Sequence, residues 1–99
     1  MTALWIANVT VTDDEAYARY AKLATVVIAE HGGVFLTRGG RHVQLEGRDR
    51  PRNVVARFPS LEAAEACYRS DGYQEALSHA RNASERDLVI VEEVAPPAK

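Results

Sequence analysis

Two stretches of this chain are apolar at consecutive rather than alternate positions: Leu4-Trp5-Ile6-Ala7 and Leu88-Val89-Ile90-Val91. Both are short and rich in β-branched or aromatic types, which reads as strand rather than helix. Successive side chains of a strand point to opposite faces of its sheet. Each run therefore sends apolar groups to both sides. Helices can cover one side, and the other is left wet unless something packs there. A second copy of the chain is the simplest cover, and an interface of about 800 Å² per subunit would be of standard size.

The order of elements supplies those helices. Residues 3–11, ALWIANVTV, form a first strand, and Thr12-Asp13-Asp14-Glu15 then reads as a capping box opening a helix over about 13–31. Ala16, Tyr20, Leu23, Ala24, Val27 and Ile28 make its apolar stripe, opposite Glu15, Arg19, Lys22 and Glu30. His31-Gly32-Gly33 stops it. A second strand covers 34–38; Gly39-Gly40 permits a bend, His42 to Glu46 extends the strand briefly, and a polar loop follows. A third strand at 52–58 ends at Pro59-Ser60, and Ser60 caps a second helix from Leu61. Ser70-Asp71-Gly72 interrupts that helix, a further helical segment runs from Tyr73 to about Ala83, and the last strand is 87–94. Two successive strand–helix–strand units predict an α+β, ferredoxin-like βαββαβ sandwich. Its four-stranded antiparallel sheet would carry helices on one face and pair with a twin as a dimeric α+β barrel.

A chain of 99 residues holds one domain, here expected over 1–95, with Ala-Pro-Pro-Ala-Lys closing it and 96–99 as a flexible tail. The net charge of −2 and scattered arginines argue against a nucleic-acid module. The single cysteine, Cys67, cannot form an internal disulfide, and the first residues carry neither a basic start nor an apolar run of spanning length. The expectation is a cytoplasmic protein, away from membranes.

The segments WIANVTVTDDEAYARY (5–20), EHGGVFLTRGG (30–40), QLEGRDRPR (44–52), RFPSLEAAEACYRSDGYQEA (57–76) and DLVIVE (87–92) together resemble the domain of unknown function 1330 family, within the dimeric α+β barrel superfamily. The resemblance spans about residues 3–94. It implies a barrel of two sheets with helices outside, and a pocket within the barrel or between helices and sheet. Relatives by fold include cofactor-free monooxygenases, haem-binding degradation enzymes, lactone isomerases and stress-response proteins, and a shared fold does not choose among them.

Each residue that can carry chemistry also has a plainer use. His31 closes the first helix, where a cation suits the negative end of the dipole; as a haem ligand it would need a pocket above it. His42, just after the glycine bend, titrates near neutral pH and is the one plausible general base, against the plainer use of a solvated side chain. His79 reads as surface. The three histidines show no metal-ligand spacing and no cysteine pair accompanies them, so no metal is expected. Cys67 shares an apolar face with Leu61 and Ala64 and has no adjacent base, which fits packing rather than nucleophilic catalysis. Ser60 lacks the G-x-S-x-G turn of a hydrolase, and phosphate-cradling glycine motifs are absent, so no nucleotide cofactor is expected.

Arg38 beside Gly39-Gly40 can meet an anionic ligand with backbone close behind, or can pair with Glu46 or Asp49 across a bend. Tyr20 and Tyr73 lie on inward helix faces and need partners for their phenols if buried. Asn8 and Arg57 are polar residues inside apolar strands, so they pair with each other or face a polar cavity. Trp5 fills the core or stacks on a planar substrate. The candidate ligand-binding set is thus Asn8, Tyr20, Arg38, Arg57 and Tyr73, with His42 as candidate base. The function expected first is a homodimer binding a small organic molecule or metabolite without a permanent cofactor. Its rivals are a cofactor-independent monooxygenase or isomerase and a non-catalytic structural or regulatory dimer.

Overall fold

A computed structural model describes residues 1–95, and the tail expected at 96–99 lies outside the described residues. Strand β1 (Ala3–Val11) leads to helix α1 (Asp14–Glu30); β2 (Val34–Arg38) and β3 (Arg52–Phe58) follow, then α2 (Leu61–Arg69), α3 (Asp71–Ala80) and β4 (Ser84–Glu92). The strands form one sheet in the order β2-β3-β1-β4, with every neighbouring pair antiparallel. This is the ferredoxin-like α+β arrangement, with the second helical stretch broken into two helices.

Local chemistry explains the boundaries. Asp13, not Thr12, caps α1: its Oδ1 accepts from the Ala16 amide at 3.1 Å. The Thr12 and Asp13 amides both donate to the Ala83 carbonyl, at 2.7 and 3.1 Å, so the α3–β4 turn takes the groups a capping box would have used. At the other end His31 closes the helix, its Nδ1 3.0 Å from the Val27 carbonyl, and Gly32 follows at φ 85°. Ser60 accepts from the Ala63 amide. Ser70 serves two helices at once, donating to the Cys67 carbonyl at 2.7 Å and accepting from the Tyr73 amide at 3.1 Å.

The core lies between the helices and one face of the sheet. Trp5, Ala7 and Val9 of β1 and Val54, Ala56 and Phe58 of β3 point inward at alternate positions. They meet Tyr17, Tyr20, Ala24 and Ile28 of α1, and Ala64, Cys67, Tyr73 and Ala76 of α2 and α3. Tyr17 takes an inward position on α1, whereas Leu23, expected on the stripe, is 38% exposed and outside the core. Trp5 fills the centre, edge-on to Tyr73 with centroids 5.0 Å apart and tilted against Phe58 at 5.7 Å.

Two boundaries differ from expectation. β4 begins at Ser84, not 87, and ends at Glu92, because the polar Ser84, Glu85 and Arg86 complete the ladder against Val11, Thr10 and Val9. The extension of β2 through His42 to Glu46 is irregular instead: β2 is an edge strand, and Val43 and Leu45 there are 82% and 86% exposed, out of the core that the described residues form. Arg50 pins the end of that loop to the sheet, donating to Asp87 at 2.9 Å and Thr10 at 3.3 Å.

The face of the sheet away from the helices carries Leu4 and Ile6 of β1, Val55 of β3, Val34 and Leu36 of β2, and Val89 and Val91 of β4. Val34 and Val89 are more than half exposed. Arg57 and Glu93 form a two-pronged ion pair at its margin, at 2.6 and 3.1 Å, with the Thr2 hydroxyl donating to the same carboxylate. Among the described residues no helix is long and apolar enough to cross a membrane, and no group of acidic, histidine and cysteine side chains has the makings of a metal site.

Candidate functional site

The inward face of the sheet is not uniformly apolar. In the row through Val9, Arg52 of β3 lies on one side and Arg86 of β4 on the other. Both reach under α1. The Arg52 guanidinium sits over the Tyr17 ring at 5.5 Å and that of Arg86 over the Tyr20 ring at 4.6 Å. Arg86 Nη2 donates to the Tyr20 hydroxyl at 2.8 Å and the Tyr73 hydroxyl at 3.3 Å, and the two phenol oxygens are 2.7 Å apart. A helix from each half of the chain thus meets the last strand at one polar point.

Beside that point a cleft opens between α1 and the β2 edge, floored by Trp5, Ala7 and Val54 and walled by Ala24 and Ile28. Its volume is about 30 Å³. Arg38 stands at the mouth, its guanidinium 4.7 Å over the Phe35 ring and its Nη1 3.5 Å from the Thr25 hydroxyl. Arg38, Arg52 and Arg86 all border this cleft, and none of them pairs with a carboxylate among the described residues. The Nε groups of Arg52 and Arg86 are buried without an acceptor.

Burial, above all, pushes the Tyr20 and Tyr73 phenols up, so both stay neutral hydroxyls at neutral pH. Burial opposes the charge on Arg86, whose guanidinium stays protonated and donates to the oxygens of both phenols. The site therefore presents fixed positive charge and neutral O–H groups. Among its lining residues there is no histidine or carboxylate to take a proton.

Of the residues singled out in the sequence, Tyr20 and Arg38 line this cleft, and Tyr73, fully buried behind it, joins them only through its hydroxyl on Tyr20 and Arg86. Arg38 turns to Phe35 and Thr25, not to Glu46 or Asp49. Asn8 and Arg57 project from the opposite face. They do not pair with each other: Asn8 stands in register with Asn53 and Asp87, and Arg57 binds Glu93. His42 lies on the loop after β2, in a groove with Thr37, Asn53 and Val55, its ring 3.3 Å from Asp49. Trp5 and Cys67 are core residues, and burial pushes the Cys67 thiol up to about 11.

Arg52 and Arg86 escaped the sequence reading. Their signal is one of register: each shares a strand face with inward residues, Arg52 with Val54 and Ala56, Arg86 with Leu88 and Ile90. Starting the last strand at 87 hides it.

No curated protein matches this chain. Among solved structures, RPA0582 of Rhodopseudomonas palustris, a protein of unknown function, is 23% identical with a TM-score of 0.77, over 96% of this chain and 84% of that one. SnoaB, a cofactor-independent oxygenase from Streptomyces nogalater, is 16% identical with a TM-score of 0.64, over 99% and 98% of the two chains. Rv0793 from Mycobacterium tuberculosis is 13% identical with a TM-score of 0.57, over 99% of this chain and 100% of that one. At these identities the likeness is one of fold, which agrees with the ferredoxin-like sheet order but carries no activity across. The sequence itself is more specific: the model of the domain of unknown function DUF1330 matches residues 2–94, nearly the whole of the sheet and helices just described, and the chain belongs to that family.

Proposed function

We propose that this protein is a cytoplasmic homodimer that binds a small organic molecule, without a permanent cofactor, in the cleft between α1 and the sheet. One observation carries the binding reading. The Tyr20–Tyr73–Arg86 cluster, with Arg38 and Arg52, sets polar and positively charged groups around a small, partly enclosed space floored by Trp5, Ala7 and Val54. The homodimer is supported by the apolar outer face of the sheet, where a second copy would cover Ile6, Val55, Val89 and their neighbours. Binding is favoured over proton abstraction, because a general base must reach the reacting atom and the groups lining the cleft are neutral phenols and charged guanidiniums.

The test is a fragment screen on isotope-labelled protein, read by amide chemical-shift changes. The reading expects small planar fragments to perturb Tyr20, Ala24, Thr25 and Phe35 together. Fragments that perturb only the outer face of the sheet, or none that perturb the cleft, would refute it.

A further inference from the structure

We infer that the ligand of this cleft is a small organic anion, a carboxylate on a compact apolar body, entering with its carboxylate toward Arg52 and Arg86. This rests on the cleft being a binding site and names the class of molecule it takes. Burying a guanidinium without a counter-charge is costly, so buried arginines ordinarily face a carboxylate. Elsewhere in this protein they do: Arg50 lies against Asp87 and Glu85. Along the cleft stand half-buried Arg52 and Arg86 and exposed Arg38, and no described residue supplies the negative charge.

The missing partner has a size. The cleft's volume of about 30 Å³ holds roughly two waters, so it takes a carboxylate's two oxygens and leaves the ligand's body at the open mouth. The buried Nε groups of Arg52 and Arg86 have no acceptor, and a planar guanidinium suits a carboxylate in particular. The tyrosine hydroxyls are held neutral and beside Arg86, so they do not compete with the anion as charges. Farther out, Ala21 and Phe35 offer apolar contact to the ligand's body, and Arg38 at the mouth adds positive charge on the way in.

The experiment titrates the intact protein with sodium benzoate and, at matched ionic strength, with benzamide, which has the same ring and no charge, following the amides of Tyr20, Thr25 and Phe35. Benzoate should bind at least about ten-fold more tightly, the difference charge-assisted hydrogen bonds ordinarily make. Arg86→Met should abolish that preference and Arg86→Lys should retain part of it. Arg38→Gln, at an exposed position that leaves the core untouched, should lower benzoate affinity a few-fold and by more than benzamide affinity, which keeps the test valid should Arg86→Met fail to fold. Equal affinities for the two probes would overturn the anion assignment and leave the small-molecule reading standing. Neutral fragments that shift the cleft amides while benzoate does not would do the same. If nothing shifts those amides, both fall.

Discussion

Residues that look alike in this sequence owe their different chemistry to the face on which the strand register sets them. Arg57 points outward and is satisfied by Glu93, whose carboxyl is held below its usual range chiefly by that hydrogen bond. Arg86 points inward and meets only phenols. Cys67 shows the same dependence in another currency. Its environment offers only the Val27 carbonyl, 4.0 Å from Sγ, and burial raises its pKa from 9.0 to about 11. A raised thiol stays protonated in the folded chain and ionises sooner in the unfolded one. Its contribution to stability is therefore intact below about pH 9 and lost progressively between there and about pH 11. Iodoacetamide should leave Cys67 unmodified in native protein at pH 8 and label it at once in denaturant, as mass spectrometry would record. Rapid labelling of the native protein would mean that the thiol is not buried. At this scale the sequence was readable where a residue's role is apolar or local: Trp5, Cys67 and the His31 cap all follow from their neighbours. Arg52 and Arg86 were not readable, because their roles depend on which side of a strand they occupy, and a one-residue error in register reverses that.

Elements were legible wherever start and stop chemistry is explicit. The Ser60 cap, the Ser70 break and the His31-Gly32-Gly33 stop are visible in the sequence and hold in the structure. The irregular run after β2 was less so, because alternating polar and apolar residues mimic a strand even where no neighbouring strand exists to pair with. Gly33 shows how tightly α1 is joined to the sheet. A methyl group there would come within 2.6 Å of Ile28 Cγ2 and 2.9 Å of Phe58 Cζ, both buried side chains, and 3.0 Å of the Ile28 carbonyl. Gly40, beyond the end of β2, has no atom within 4 Å of the same position. Gly33→Ala should therefore cost about 1–3 kcal/mol from overpacking, and Gly40→Ala should stay within about 0.5 kcal/mol of wild type. Urea denaturation of the two variants checks the difference. Equal midpoints would contradict the close α1–β3 packing.

At the scale of the whole molecule, the two faces of the sheet have different fates. The inner face is covered by three helices but opens at the arginine-lined cleft and along β4, where half-buried Leu88 and Ile90 line grooves against α2 and α3. The outer face leaves Val34, Leu36, Val89 and Val91 substantially exposed, an apolar surface bordered by the Arg57–Glu93 and Arg50–Asp87 ion pairs. Exposed apolar surface of this kind, with a charged rim, is what association buries. The consecutive apolar residues of β1 and β4 already implied this two-sidedness in the sequence, since alternation sends them both ways. What the sequence could not give was the position of the cleft, which arises only where α1 crosses the sheet and residues of all four strands come under it. The most direct test of the account is sedimentation velocity of the purified chain from low to high micromolar concentration. A self-covered outer face predicts a species of twice the 10.9 kDa chain mass that dissociates when Val89 is replaced by lysine. A protomer that stays single and soluble across the whole range would contradict it.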